Sequence, residues 1–331
     1  MAISIDDIKK LRAMTGAGLA DVKKALTEAE GDFDKAKELL RERGLAIAAK
    51  RSDRETSNGC VLVKAVDGFA ATIALKCETD FVANGADFIA LTQGILDAAI
   101  AAKAKDIEAV KALTINGQTA QEAVTQRSGI TGEKMELDGY LVLEGENIEV
   151  YDHMGKHTLC TMVQTNKPAA EIGHKLAMQV AAMKPVALDA QSIDPKILDE
   201  EDRTAVEKTK LEQVQKYVDM KIKKAGINPN LVDSEDHIES NMSKGWLTQE
   251  QADEARKIIA EAKPEGEAQL KMPMIEGIAK GRVEKFKKES CLVDQEFQFG
   301  DGDKQTVAQW LAQQDKELKI VDFKRFTLVA E

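Results

Sequence analysis

His153 and His157 stand four residues apart, a spacing that on a helix would aim two imidazoles at one metal ion. They flank Met154-Gly155 between two strand-like runs, where a turn fixes side chains less firmly, and the sequence offers no third ligand beside them. No metal site is expected. Cys60, Cys77, Cys160 and Cys291 lie too far apart for a Cys-x-x-Cys pair, which removes the usual zinc and redox spacings. They read as reduced cytosolic thiols. Cys77 would be a nucleophile only with a His base at hand, and none can be assigned, so it reads as a buried strand cysteine. The single Gly-Lys step, Gly155-Lys156, lacks the upstream glycine and following hydroxyl of a phosphate loop. Gly300-Asp301-Gly302 lacks the third glycine of a dinucleotide fingerprint and is expected to be a turn. Gly-x-Ser-x-Gly and His-Glu-x-x-His are absent from the sequence, so no covalent catalysis and no cofactor are expected.

The charge balance narrows the partners. Lys plus Arg number 46 against 57 Asp plus Glu, a formal net charge of -11 over 331 residues, which disfavours general binding to phosphate backbones. The basic runs Lys221-Ile222-Lys223-Lys224 and Lys285-Phe286-Lys287-Lys288 sit among acids and read as solvated helix faces. No stretch approaches the roughly 18 apolar residues of a membrane helix, and the acidic opening Ser4-Ile5-Asp6-Asp7 is unlike a presequence. A soluble, cytoplasmic protein is expected, with no direct nucleic-acid or membrane partner.

The elements follow from periodicity. Ile5, Ile8 and Leu11, then Leu19, Val22 and Leu26, then Phe33, Ala36, Leu39 and Leu40 predict three short helices. Ser4 with Asp7 is a start signal, Ile3 and Ile8 a hydrophobic staple, and Gly16, Gly18 and Gly31-Asp32 the breaks. Gly44 is expected at the end of the third helix, and Ala48 to Arg54 as a linker. From Gly59 the period shortens: Cys60-Val61-Leu62-Val63 and Ala71 to Leu75 read as strands about an Asp67-Gly68 hairpin turn, leading to a helix from about Ala86 to Ala102. A second set, Tyr140 to Leu143, Ile148 to Tyr151 and Thr158 to Val163, leads to a helix from about Ala169 to Met183. The matching junctions Cys77-Glu78-Thr79-Asp80 and Val163-Gln164-Thr165-Asn166 suggest a duplicated α+β unit with small antiparallel sheets and helices on one face of each.

A charged helical insertion follows, broken at Gly226 to Asn230 and reopened by Thr248-Gln249-Glu250-Gln251. The chain then returns through Cys291-Leu292-Val293, read as β-like, a helix near Val307 to Leu311 and a closing strand Phe326 to Val329. The expected division is 1–54 for the three-helix domain and linker, 55–135 for one core subdomain, 136–193 with 277–331 for the other, and 194–276 for the insertion.

The strand-to-helix junction presents two readings. Thr79 and Asp80 are N-cap candidates, and Phe81, seven positions before Phe88, reads as core from spacing alone. Two stretches favour a second reading. Leu11 to Leu26, with Met14-Thr15-Gly16-Ala17-Gly18-Leu19 at its centre, resembles the opening signature of the elongation factor Ts family, and Cys77-Glu78-Thr79-Asp80-Phe81-Val82-Ala83 resembles its Thr-Asp-Phe-Val-Ala motif. Weaker similarity continues through Ala177 to Pro185 and Gly281 to Phe286.

The resemblance implies a ubiquitin-associated-like N-terminal module and a guanine-nucleotide exchange factor for the GTPase elongation factor Tu, with Asp80 and Phe81 entering near the magnesium and phosphates. It further implies partner contacts at Thr79, Val82, Lys23, His153 of Tyr151-Asp152-His153, and Gly132 of Gly132-Glu133. Structural readings stand beside these: Lys23 shares a solvated helix face with Lys24, and turn residues recur for backbone reasons alone. The resemblance implies self-association through the helical insertion, and the insertion departs from the family's dimerisation hairpin in being longer. The alternative is an adaptor whose N-terminal module binds a ubiquitin-like or nascent-chain partner.

Overall fold

The computed structural model describes residues 3–15, 17–300 and 304–328; Gly16, Asp301, Gly302 and Val329, named above, lie outside them. The first three helices are α1 (Ile5–Thr15), α2 (Leu19–Glu28) and α3 (Phe33–Ala49). Ser4 and Asp7 cap α1 reciprocally: the Asp7 amide donates to Ser4 Oγ at 3.0 Å and the Ser4 amide to Asp7 Oδ2 at 3.1 Å. Ile3 and Ile8 pack on the same small core as Leu11, Val22, Leu26 and Ala36. Gly44 does not end α3. The helix runs on through it because Gly44 lies against Gly129 of a later helix, where a Cβ on Gly129 would stand 2.2 Å from Gly44 Cα. The bare glycine backbones permit this crossing, and the expected linker is correspondingly shorter.

β1 (Asn58–Val66) and β2 (Phe69–Cys77) form an antiparallel hairpin whose turn residues, Asp67 at φ 46° and Gly68 at φ 74°, carry the paired positive angles of a tight hairpin. Next come α4 (Asp80–Ala83), α5 (Ala86–Ala102), α6 (Ile107–Ala112), the short pair β3 (Thr114–Ile115) and β4 (Gln118–Thr119), and α7 (Ala120–Thr131), which begins in a Thr119–Glu122 capping box. β5 (Met135–Glu144) returns antiparallel to β2 and completes a sheet ordered β1-β2-β5. Here the structure corrects the sequence reading: Tyr140 to Leu143 belong to the first sheet rather than opening a second set of strands. The reason is long-range pairing, which local periodicity does not encode.

β6 (Ile148–Asp152), β7 (Leu159–Thr165) and α8 (Ala170–Met183) follow. Pro185–Gln295 is a compact unit in its own right. It contains α9 (Pro195–Lys224), α10 (Glu235–Ser243), α11 (Gln249–Ala268) and α12 (Met272–Ser290). Val218, Ile222, Ile238, Leu247, Ala252 and Ala255 supply its core, and a Thr248–Gln251 capping box opens α11. The basic runs meet acids on these helices, Lys221 with Glu265 at 2.9 Å and Lys287 with Glu284 at 2.9 Å. Cys291-Leu292-Val293 is not a strand. Cys291 makes a single parallel bridge to Ala187, and Leu292–Asp294 turn as a 3₁₀ helix, since three apolar residues are too few to fix a period.

α13 (Val307–Gln314) and β8 (Ile320–Thr327) belong with residues 1–184; β8 closes a second antiparallel sheet ordered β6-β7-β8. Together the helices, the two three-stranded antiparallel sheets and the short β3-β4 pair make an α+β fold. The sheets bury a face against each other through Val61, Ala74 and Cys160, and through Ala70, Leu143 and Met162. α5 covers the outer face of the first sheet with Phe88, Ile95 and Leu96. β2 is thus buried on both sides, which explains its nearly unbroken apolar run Phe69 to Leu75.

Candidate functional site

Cys77 ends β2 between Asn58 of β1 and Met135 of β5, so the chain leaves the middle of a three-stranded sheet. Thr79 is the N-cap of the single-turn helix α4, with φ −119° and ψ 152°, and its Oγ1 accepts from the Val82 amide at 3.4 Å. The turn closes through the Ala83 amide on the Thr79 carbonyl at 3.2 Å and Asn84 Nδ2 on the Asp80 carbonyl at 2.8 Å. Val82 and Ala83 face the core with Phe88, and this anchoring leaves the opposite side of the turn to solvent. Phe81 is 85% exposed, whereas Phe88 is 0% exposed. Among the described residues Phe81 is the most exposed of the large apolar side chains, ahead of Ile5 at 72%.

Two glutamates tie this turn to the start of β5. Glu133 accepts from the Thr79 amide at 3.0 Å and from Thr79 Oγ1 at 2.6 Å. Glu78 accepts from the Lys134 amide at 2.6 Å and pairs with Arg54 at 2.9 Å; those donors, the Lys134 amide foremost, hold its carboxyl below the usual range. Gly132, at φ 74°, caps α7 in the left-handed region and turns the chain so that Glu133 follows directly. A Cβ there would also press on the Arg51 guanidinium at 3.3 Å. The sequence reading reached Gly132-Glu133 as a turn but not the clasp between Glu133 and Thr79. No short motif announces a bond across 54 positions.

Asp80 is exposed and lines a cleft of about 420 Å³ with Asn58, Asn84, Lys156 and His157. His153 sits in the turn between β6 and β7, where Tyr151 Oη lies 3.2 Å from its Nδ1, while His157 Nδ1 lies 2.5 Å from Asp152 Oδ2. The two imidazoles therefore have different partners rather than a common target. Met154 beside them is 70% exposed. Lys23 projects from the exposed side of α2, whose inner side carries Val22, Ala25 and Leu26, and it is not part of the Thr79–Phe81 cluster. Thus the structure groups Thr79, Asp80, Phe81 and Val82 with Gly132 through Glu133, and leaves Lys23 and His153 on other elements.

The four thiols are buried. Burial pushes Cys60 and Cys77 up to about 12 and Cys291 up to about 11, and raises Cys160 as well. The Cys77 thiol donates to the Thr79 carbonyl at 3.2 Å, so it helps to seat the turn.

The fold is thus an α+β protein whose clamped turn holds an apolar ring outward over buried thiols. Residues 78–224 and 204–330 match the family model described as Elongation factor TS. The chain is 58% identical over 332 residues to elongation factor Ts of Bacteroides fragilis and 57% identical over 331 residues to that of Parabacteroides distasonis, with 100% of both chains covered in each case. It is 38% identical over 333 residues to elongation factor Ts of Porphyromonas gingivalis, again over 100% of both chains. The chain belongs to the elongation factor Ts family, and so to the factors of translation elongation.

Proposed function

We propose that this chain is a guanine-nucleotide exchange factor that binds GDP-loaded elongation factor Tu in the cytoplasm and promotes GDP release by inserting the Asp80-Phe81 turn near the magnesium and phosphates. The observation that carries the reading is the 85% exposure of Phe81 on a turn pinned from behind by Val82, Ala83 and Glu133. Because the turn is already ordered, docking sacrifices little conformational freedom there. Burying the ring in a partner contributes about 1.5 to 3 kcal/mol, and each ~1.4 kcal/mol directed against the nucleotide complex is worth a factor of ten. One wedge therefore accounts for about one to two decades of faster release. The acidic Asp80 beside it adds repulsion toward a bound phosphate and competition for a cation. Lys23, His153 and Gly132 belong to the wider contact in this reading. The test is release of labelled GDP from elongation factor Tu with wild type and Phe81→Ala; equal acceleration by the two would remove the ring from the mechanism.

A further inference from the structure

The two sheet strands that support α4 exchange carboxylates at their ends. Glu78, one residue past β2, takes the Lys134 amide, and Glu133, two residues before β5, takes the Thr79 amide and hydroxyl. The pair brackets the last rung of the sheet, Cys77 with Met135. Besides the pair, α4 is held by the two linking residues Glu78 and Thr79 and by the packing of Val82 and Ala83, and a four-residue helix has no cooperative stability of its own. The Glu133 carboxylate is the group that fixes the N-cap itself, because it holds both polar atoms that Thr79 presents to it. Thr79 Oγ1 donates to Glu133 and in the same geometry accepts from the Val82 amide, so its hydroxyl proton is directed away from the helix and its lone pair toward it.

We infer that Glu133 is a positioning residue for the wedge: its carboxylate sets the direction in which α4 points Phe81, and exchange depends on that direction more than partner affinity does. The inference rests on the exchange reading given above. A ring that swings freely still adds apolar area to the encounter. Acting against bound nucleotide requires it to arrive at one place, and each loosened degree of freedom subtracts from the fraction of encounters in which it does. Loss of the two hydrogen bonds lets α4 sample other directions, and an aligned fraction about tenfold smaller lowers the maximal release rate about tenfold.

The experiment follows labelled-GDP release from elongation factor Tu across a range of exchange-factor concentrations, using wild type, Glu133→Ala, Glu133→Gln, Phe81→Ala and the double variant Glu133→Ala/Phe81→Ala. Expected are a maximal rate about tenfold lower for Glu133→Ala with the half-saturating concentration changed less than about twofold, and an intermediate rate for Glu133→Gln, which keeps one acceptor oxygen. In the Phe81→Ala background the Glu133→Ala change should add almost nothing, since a brace without a wedge has nothing to aim. Additive losses would overturn the inference, as would an unchanged maximal rate. Amide hydrogen exchange of the free protein supplies the readout that does not depend on the partner. Glu133→Ala should speed exchange at the Val82 and Ala83 amides while leaving the amides of Ile73 and Leu75 in β2 protected; equal protection at α4 in variant and wild type would overturn the brace even if Phe81→Ala behaves as proposed. If Phe81→Ala releases GDP at the wild-type rate, the wedge reading itself fails, and the α4 amides alone then decide whether Glu133 orders the turn.

Discussion

Phe81 and Phe88 are the same residue type at a spacing that on one continuous helix would place both on one face, yet Phe81 is 85% exposed and Phe88 0% exposed. The helix is not continuous. α4 stops at Ala83, Asn84 and Gly85 intervene, and α5 restarts at Ala86, so the heptad relation has no geometric meaning across them. Spacing alone therefore pointed Phe81 inward, and only the Thr-Asp-Phe-Val-Ala resemblance pointed it outward. The two rings should respond oppositely to truncation. Phe88→Ala empties a fully buried site and should lose about 3 to 5 kcal/mol in a urea titration. Phe81→Ala should stay within about 0.5 kcal/mol of wild type in the same titration while slowing GDP release by about one to two decades. Reversed outcomes would mean that the ring positions have been misassigned. Cys77 was legible as a strand cysteine, and with its thiol raised to about 12 by burial it should resist iodoacetamide at neutral pH in the folded protein.

At the scale of elements, what the sequence made plain was local chemistry: the Ser4–Asp7 and Thr248–Gln251 caps, the Asp67-Gly68 turn and the helix Ala86–Ala102 all follow from side chains a few positions apart. What it hid was pairing at long range. Tyr140 to Leu143 look like the start of a new set of strands because nothing local says that β2 lies beside them. Gly44 looks like a helix end because its partner, Gly129, is far along the chain. That crossing makes an asymmetric prediction. A Cβ on Gly129 would lie 2.2 Å from the Gly44 Cα, backbone that cannot rotate away, so Gly129→Ala should force α3 and α7 apart at a loss of about 1 to 3 kcal/mol. A Cβ on Gly44 would find its nearest neighbour at 3.5 Å, and Gly44→Ala, by the better helix propensity of alanine, should gain up to about 1 kcal/mol. Thermal melts of the two variants should move in opposite directions. The clasp at the end of the first sheet adds a pH dependence. Glu78 has its carboxyl held below its ordinary value of 4.5, chiefly by the Lys134 amide, so its contribution is complete above 4.5 and is lost as pH falls through the lower folded-state value. Glu78→Gln should flatten that part of the acid limb of stability, and a variant curve parallel to wild type below 4.5 would remove Glu78 from it.

For the whole molecule the question is what a net charge of -11 and two compact units do together with one small wedge. The Phe81 turn, its clasp and the cleft beside Asp80 all lie within residues 1–184 and 296–331, while Pro185–Gln295 has its own helices and its own core. Nothing in the proposed release mechanism draws on that second unit. The thermodynamics of the mechanism belong to the complex as a whole. If the chain weakens the hold of elongation factor Tu on GDP by some factor, GDP must weaken the hold of elongation factor Tu on this chain by the same factor, because both routes close one cycle. The adaptor alternative carries no such obligation: a partner captured by the N-terminal helices would bind equally well with or without nucleotide. Titrating the chain into nucleotide-free and GDP-saturated elongation factor Tu should therefore give two dissociation constants. Their ratio should equal the ratio of the GDP dissociation constants measured without the chain and at its saturation. Phe81→Ala should shrink both ratios together by about one to two decades, since the ring is the group proposed to oppose the nucleotide. A GDP-independent affinity, or a ratio that Phe81→Ala leaves untouched, would show that the chain binds without competing for the phosphate site.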